Sequence, residues 1–251
     1  MAESKCTAFI LVFLCFILHL TISCATTGGG LQKTADKTIT EADIEIISWS
    51  FDTGYSHGNF SLFALNAAAA ARNPQLYDFI NTLLYKEQTL YFSGQTAQEF
   101  LDNVKKSSVE WDREFHEENF TWEIRGNYLL LKRIYTGGSG SSYEMVVSYI
   151  IDTASVKSLT IDDIIIDSGN PDLQGLVWNR LLQTDNWIAG ERAAFYKSLE
   201  ERAFSIFFDG QNIIFHWDKG LMAANAAGAI EAVLQQSEVF PYLTDIGREL
   251  L

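Results

Sequence analysis

The sequence predicts an α+β protein: an antiparallel β-sheet, built from a meander plus a C-terminal hairpin and strand, packed with helices. Three observations carry this. From Phe120 to Ile151 apolar residues recur with period two in long runs broken by Gly126-Asn127 and by a glycine- and serine-rich stretch. Farther on, Phe204-Ser205-Ile206-Phe207-Phe208 and Asn212–Trp217 flank Asp209-Gly210, a strong hairpin signal. Between the β-like runs lie segments of 3/4 apolar spacing that open on helix-capping residues.

Ile44-Glu45-Ile46-Ile47-Ser48-Trp49-Ser50-Phe51 alternates and stops at Asp52-Thr53-Gly54, a strand into a turn. Phe60–Leu65 fits either a second strand or the start of a helix through the alanines of 67–71, and periodicity does not decide between them. Asn73-Pro74 then caps a helix with Leu76, Phe79, Ile80, Leu83 and Leu84 on one face. Thr96-Ala97-Gln98-Glu99 is a capping box, opening a helix that offers Phe100, Leu101, Val104, Val109 and Trp111 to the core.

The meander follows, its strands carrying Phe120, Trp122 and Ile124, then Tyr128–Tyr135, then Tyr143–Ile151, with Gly137–Ser142 read as the loop between the last two. Thr160 caps a short helix over Ile161–Ile164, Pro171 opens a longer one, and Glu191–Arg202 continues helical. Gly228–Leu234 supplies the last strand and Ser237–Leu243 a closing helical turn.

The 251 residues are 47% hydrophobic and 20% charged, enough apolar material for a sizeable core. A net charge of −14, with no basic run longer than Lys105-Lys106, argues against nucleic acid as a partner and favours cationic ones. The three cysteines, Cys6, Cys15 and Cys24, all precede the body, which therefore has no thiol for a disulfide, a zinc site or a nucleophile.

The N-terminus reads as an address. An apolar run from Phe9 to Leu18, preceded by Lys5, has the layout of a signal peptide over 1–23. An uncleaved N-terminal anchor is the alternative. Leu20-Thr21-Ile22-Ser23-Cys24 resembles the bacterial lipoprotein signal, in which a small residue precedes the acylated cysteine. That resemblance implies lipidation of Cys24 and a membrane-anchored protein facing the periplasm or cell exterior. A glycine-bearing spacer over 24–43 then leads to a body over 44–251, divisible at about 158 into two subdomains.

The C-terminal pattern, from the Asp209-Gly210 hairpin through Gly228 to Pro241-Tyr242-Leu243, together with the Gly137-Gly138 stretch and Leu159–Ile164 upstream, resembles the RsiV-type family of exported bacterial domains of unknown function. That family includes a tethered anti-sigma factor that binds lysozyme, and its domain also stands ahead of a peptidoglycan deacetylase. The resemblance implies a non-catalytic binding module of the cell envelope, its ligand a lysozyme-like cationic protein or peptidoglycan. The family's Gly-Gly-Ala-His is Gly137-Gly138-Ser139-Gly140 here, so no role of that histidine carries over.

Candidate ligand-binding residues are Gly137, Gly138 and Ser139, on a connection between strands, and Trp187, beside Asp185-Asn186 and Gly190. The other tryptophans fall at apolar positions of the strand and helix patterns. His57, His116 and His216 are expected in a turn, at a charged helix end and in a strand, with no spacing that suits a metal. Asp162-Asp163 reads as a solvated helix start. No nucleophile elbow, phosphate loop or dinucleotide fingerprint occurs, so neither catalytic residue, cofactor nor metal is expected. A peptidoglycan hydrolase working through Asp or Glu, and a purely structural lipoprotein, are the alternatives.

Overall fold

The period-two runs pair into two sheets in the computed structural model, which describes residues 38–251 apart from 87–91, 140–141, 185, 219 and 223–227. The larger has the order β1 (Ile44–Asp52), β2 (His57–Leu65), β3 (Phe115–Arg125), β4 (Tyr128–Gly138), β5 (Ser142–Asp152) and β6 (Lys157–Leu159). The smaller has the order β7 (Ser205–Asp209), β8 (Asn212–Trp217) and β9 (Ile230–Gln235). The α+β reading therefore stands.

Every pairing is antiparallel save β2 with β3, which run parallel in the register His57 opposite Phe115. A parallel neighbour demands a long crossover, and three helices supply it. They are α1 (Ala67–Arg72), α2 (Pro74–Asn81) and α3 (Ala97–Ser108). Asn66 settles the ambiguity at Phe60–Leu65. The strand runs to Leu65, and the Asn66 side chain, accepting from Ala69 N at 3.0 Å, begins α1 immediately after.

Asn73 caps α2 through Leu76 N at 3.2 Å, and Thr96 caps α3 through Glu99 N at 3.2 Å. Glu99 reaches back to Gln95 N, one residue before the cap, rather than closing the box on Thr96. Phe100, Leu101 and Val104 are buried as expected, but Val109 lies past the helix end and is 85% exposed.

Two apolar cores lie on opposite faces of β4 and β5. The first joins Phe60, Leu62, Phe120, Leu129, Leu131, Tyr149 and Ile151 to α2 and α3. The second joins Leu130, Ile150 and Leu159 to α5 (Pro171–Thr184), α6 (Arg192–Glu200) and the small sheet. Burial on both faces explains why Tyr128–Leu131 is an unbroken apolar run rather than an alternating one. Trp217, fully buried in the second core, satisfies its indole N–H on Ser198 Oγ at 2.8 Å.

Packing starts ahead of residue 44. Ile39 is buried, and Asp43 accepts from Thr40 N at 2.8 Å while pairing with Arg72 at 2.8 Å. That hydrogen-bonded Arg72 guanidinium holds the Asp43 carboxyl below its usual range. Between β6 and α5 comes α4 (Ile161–Ile164), capped by Thr160 and Asp163. The chain closes with α7 (Gln236–Val239), a 3-10 turn over Phe240–Tyr242, and α8 (Asp245–Glu249), which sequence periodicity is too short to announce. No helix among the described residues is long and apolar enough to cross a membrane.

Candidate functional site: an aromatic row ending at a histidine

At one end of the large sheet, six rings run from β1 across to β5. Trp49 and Phe51 stack with centroids 4.9 Å apart, and Phe51 meets Trp111 at 5.5 Å. Trp111 then lies 4.2 Å from His116, which is followed by Tyr135 at 6.0 Å and Tyr143 at 5.7 Å beyond. Trp49, Phe51, Trp111 and Tyr143 are half-buried, so both ends of the row reach solvent, whereas His116 and Tyr135 between them are buried. Lys105 of α3 sits 5.8 Å over Trp49.

Trp111 rides on the segment between α3 and β3. Ser56 holds that segment by donating to Trp111 O at 3.2 Å and accepting from Glu114 N at 3.2 Å. Arg113 within it has a φ of 58°, a left-handed conformation that costs a non-glycine residue about 1 kcal/mol. Glu110, Asp112 and Glu114 flank Trp111 in sequence and give this segment an acidic border.

His116 is read at a charged helix end from sequence but stands in β3, where His116, Glu118, Phe120 and Trp122 alternate with outward residues and share one face. Likewise His57 opens β2 rather than lying in a turn. The His116 Nδ1 is 2.6 Å from the Tyr135 hydroxyl and its Nε2 is 3.1 Å from Glu114 Oε2. Because Tyr143 O–H donates to the Tyr135 oxygen at 3.2 Å, the Tyr135 proton is left for Nδ1. The chain thus runs Tyr143 to Tyr135 to His116 to Glu114, with both imidazole nitrogens engaged.

Gly137 and Gly138 lie within β4, not in the connection, which is only 139–141. Gly137 pairs directly with His116 across the strands, and the close packing needs its missing side chain. A Cβ at Gly137 would stand 2.9 Å from the Tyr143 hydroxyl and 3.0 Å from His116 Nδ1. Two predicted residues therefore border the histidine cluster, and Ser139 is exposed just beyond. Trp187 falls in a 3-10 turn over Asn186–Glu191, with its side chain outside the described residues, as is Cys24.

On the same face of the sheet as the row, Glu118 and Arg133 form a buried ion pair, Nη2 to Oε1 at 2.8 Å, with side chains 1% and 5% exposed. Arg133 also donates to Leu84 O at 3.2 Å and lies between Phe100 and Phe120. Burial pushes the Glu118 carboxyl up against the opposing pull of Arg133. Burial also works against the Arg133 charge, but Glu118 outweighs it and raises the guanidinium above its ordinary value.

A separate histidine ties the two sheets. His216 Nδ1 is 2.8 Å from Glu231 Oε1 and Nε2 is 3.1 Å from Asp218 Oδ1, which also accepts from Val146 N at 2.7 Å. Asp162 and Asp163, read from sequence as a helix start, have local partners. Asp163 caps α4 and pairs with Lys157 at 2.7 Å, and Asp162 pairs with Arg202 at 2.7 Å. Among the described residues no group of three or more His, Cys, Asp or Glu is placed to hold a metal ion.

No protein-family model matches the chain, and no curated protein matches it. Solved structures do. A DUF3298-family member from Bacteroides fragilis superposes with a TM-score of 0.55 at 14% identity, over 83% of this chain and 96% of that one. A DUF3298-family protein from Pseudomonas aeruginosa gives a TM-score of 0.52 at 9% identity, over 83% and 95%. The chain has the DUF3298 fold. At these identities the likeness concerns architecture and carries no activity with it.

Proposed function

We propose that the chain is a non-catalytic binding module of the bacterial cell envelope, held there by lipid on Cys24. In this reading the aromatic row is where it meets its ligand, with the glycan strand of peptidoglycan the best fit. The observation that carries it is the row itself. Trp49, Phe51 and Trp111 pack in series at centroid spacings of 4.9 and 5.5 Å, each half-buried, so part of every ring reaches solvent along one end of the sheet. The exposed parts of such rings suit the apolar faces of sugars, and Glu114 beside His116 and Tyr143 at the far end of the row offer hydrogen bonds to hydroxyls. His116, with both nitrogens already engaged and its side chain buried, serves to fix Trp111 and Glu114 rather than to attack a bond.

The acidic border and the net charge of −14 favour a second reading, a lysozyme-like cationic protein docking on the same surface. One experiment separates them. The purified chain is mixed with insoluble peptidoglycan, and in parallel with immobilised lysozyme, at about 150 mM salt and again at about 500 mM. Retention on peptidoglycan that survives high salt and falls at least tenfold in Trp111→Ala, with the fold intact by circular dichroism, supports the glycan reading. Salt-sensitive retention on lysozyme supports the second, and retention on neither refutes both. Anchoring is tested separately, as labelled palmitate incorporation lost in Cys24→Ala.

A further inference from the structure

The opposite face of β4 from the aromatic row carries a different feature. Between the face of β3–β5 that bears Leu130 and Ile150 and the edge strand β7 runs an open groove of about 140 Å³. Thr121 pairs directly with Lys132, and Lys132 directly with Ser148. The three residues therefore form one row across β3, β4 and β5, with the lysine between two hydroxyl residues. The Lys132 Nζ lies 4.5 Å over the Phe207 ring.

The groove's charge is uncompensated. Its carboxylate among the described residues, Glu123, is taken up by Arg125 through Nε at 2.7 Å and Nη2 at 2.8 Å. Arg125 is itself fixed on the Leu250 carbonyl and over Phe208. Lys132 has no ion pair or hydrogen bond among the described residues, in a chain whose net charge is −14. A half-buried lysine without a counterion, with a hydroxyl residue on either side of it across the strands, suits an oxyanion. Leu130, Ile150, Ile206 and Phe208 supply an apolar part of the lining.

We propose that this groove binds a compact carboxylate. Its oxygens rest on Lys132 and on the Thr121 and Ser148 hydroxyls, and its apolar part lies along Ile206, Phe208 and Leu130. A cavity of roughly 150 Å³ accommodates a benzene ring, which limits the apolar part to one ring or one branched side chain. That chemistry has two sources, a free carboxylic acid or the C-terminal residue of a peptide. The site does not depend on the aromatic row, so glycan or lysozyme binding could fail without touching it.

The test is an NMR titration of the amides of Thr121, Lys132 and Ser148 in the purified chain. Its probes are benzoate, N-acetyl-Ala-Leu with a free C-terminus, and the same peptide amidated. Saturable binding is expected with a Kd on the order of 1 mM. Benzoate alone saturating points to a free acid, and the free-ended peptide saturating points to a chain end. Lys132→Met is expected to weaken binding at least tenfold and Lys132→Arg by less than about threefold, since a charged donor is retained. Thr121→Val with Ser148→Ala gives an intermediate loss in a variant that keeps the lysine's packing on Phe207. No saturation by either acid up to about 20 mM, equal binding of the amidated peptide, or undiminished binding in a well-folded Lys132→Met each overturns the proposal.

Discussion

Replacing Arg133 with Met strands Glu118 in a place where it is 1% exposed. The carboxylate cannot stay charged there without its partner, so it takes a proton instead. Protonating a carboxyl of ordinary pKa, near 4.3, costs about 3.7 kcal/mol at pH 7 and about 1 kcal/mol at pH 5. The lost hydrogen bond to Leu84 O adds roughly 1 kcal/mol at either pH. Arg133→Met is therefore expected to cost about 4–5 kcal/mol at pH 7 and about 2 kcal/mol at pH 5. The double variant Glu118→Leu with Arg133→Met removes the charge problem and is expected to recover to within about 2 kcal/mol of the parent at both pH values. Urea unfolding followed by tryptophan fluorescence at the two pH values measures all three. A cost for Arg133→Met that does not change between pH 7 and pH 5, or a double variant as unstable as the single, refutes the account of this pair as an ion pair whose partner loss is met by protonation.

His216 makes stability depend on pH in the other direction. Burial opposes its charge, but hydrogen bonds to Asp218 and Glu231 outweigh burial and raise its pKa above the ordinary 6.5. A raised folded-state value means that the stabilisation is full below about pH 6.5 and is lost as pH rises through the higher folded value. Thermal melts should show the midpoint falling across that window in the parent and staying flat in His216→Gln. Gly247 of α8 is the tightest backbone approach near the C-terminus, since an added Cβ would land on the Ile164 carbonyl. Gly247→Ala should push α8 off α4 and cost about 1–3 kcal/mol by urea titration.

The elements with strong local chemistry were legible from sequence. Asn73-Pro74, Thr96, Thr160 and Pro171 each begin the helix they announce, and Asp209-Gly210 turns the small hairpin. What local chemistry does not encode is partnership between distant segments. Nothing in β2 or β3 alone says that they run parallel, because that pairing is imposed by the three-helix crossover. Gly137-Gly138 reads as loop because glycine usually does, whereas here the strand continues through it so that His116 and two tyrosine hydroxyls can close over the bare backbone.

The candidate residues were less hidden than they first seem, since one turn sets most of them. Gly126-Asn127 is a two-residue connection, with Gly126 at a φ of 58°, and it makes Arg125 face Tyr128. Counting outward from that pair, one step on each strand, Thr121 must meet Lys132, Phe120 must meet Arg133, and His116 must meet Gly137. Side chains two steps apart share a face, so Glu118 is placed beside Arg133 on one side of the sheet while Lys132 is sent to the other. The aromatic end, the buried ion pair and the lysine groove are thus three consequences of one hairpin register. A single insertion that slipped this register would exchange the two faces of β4, burying Lys132 where Arg133 now stands and misplacing all three at once, although each binds or packs independently of the others.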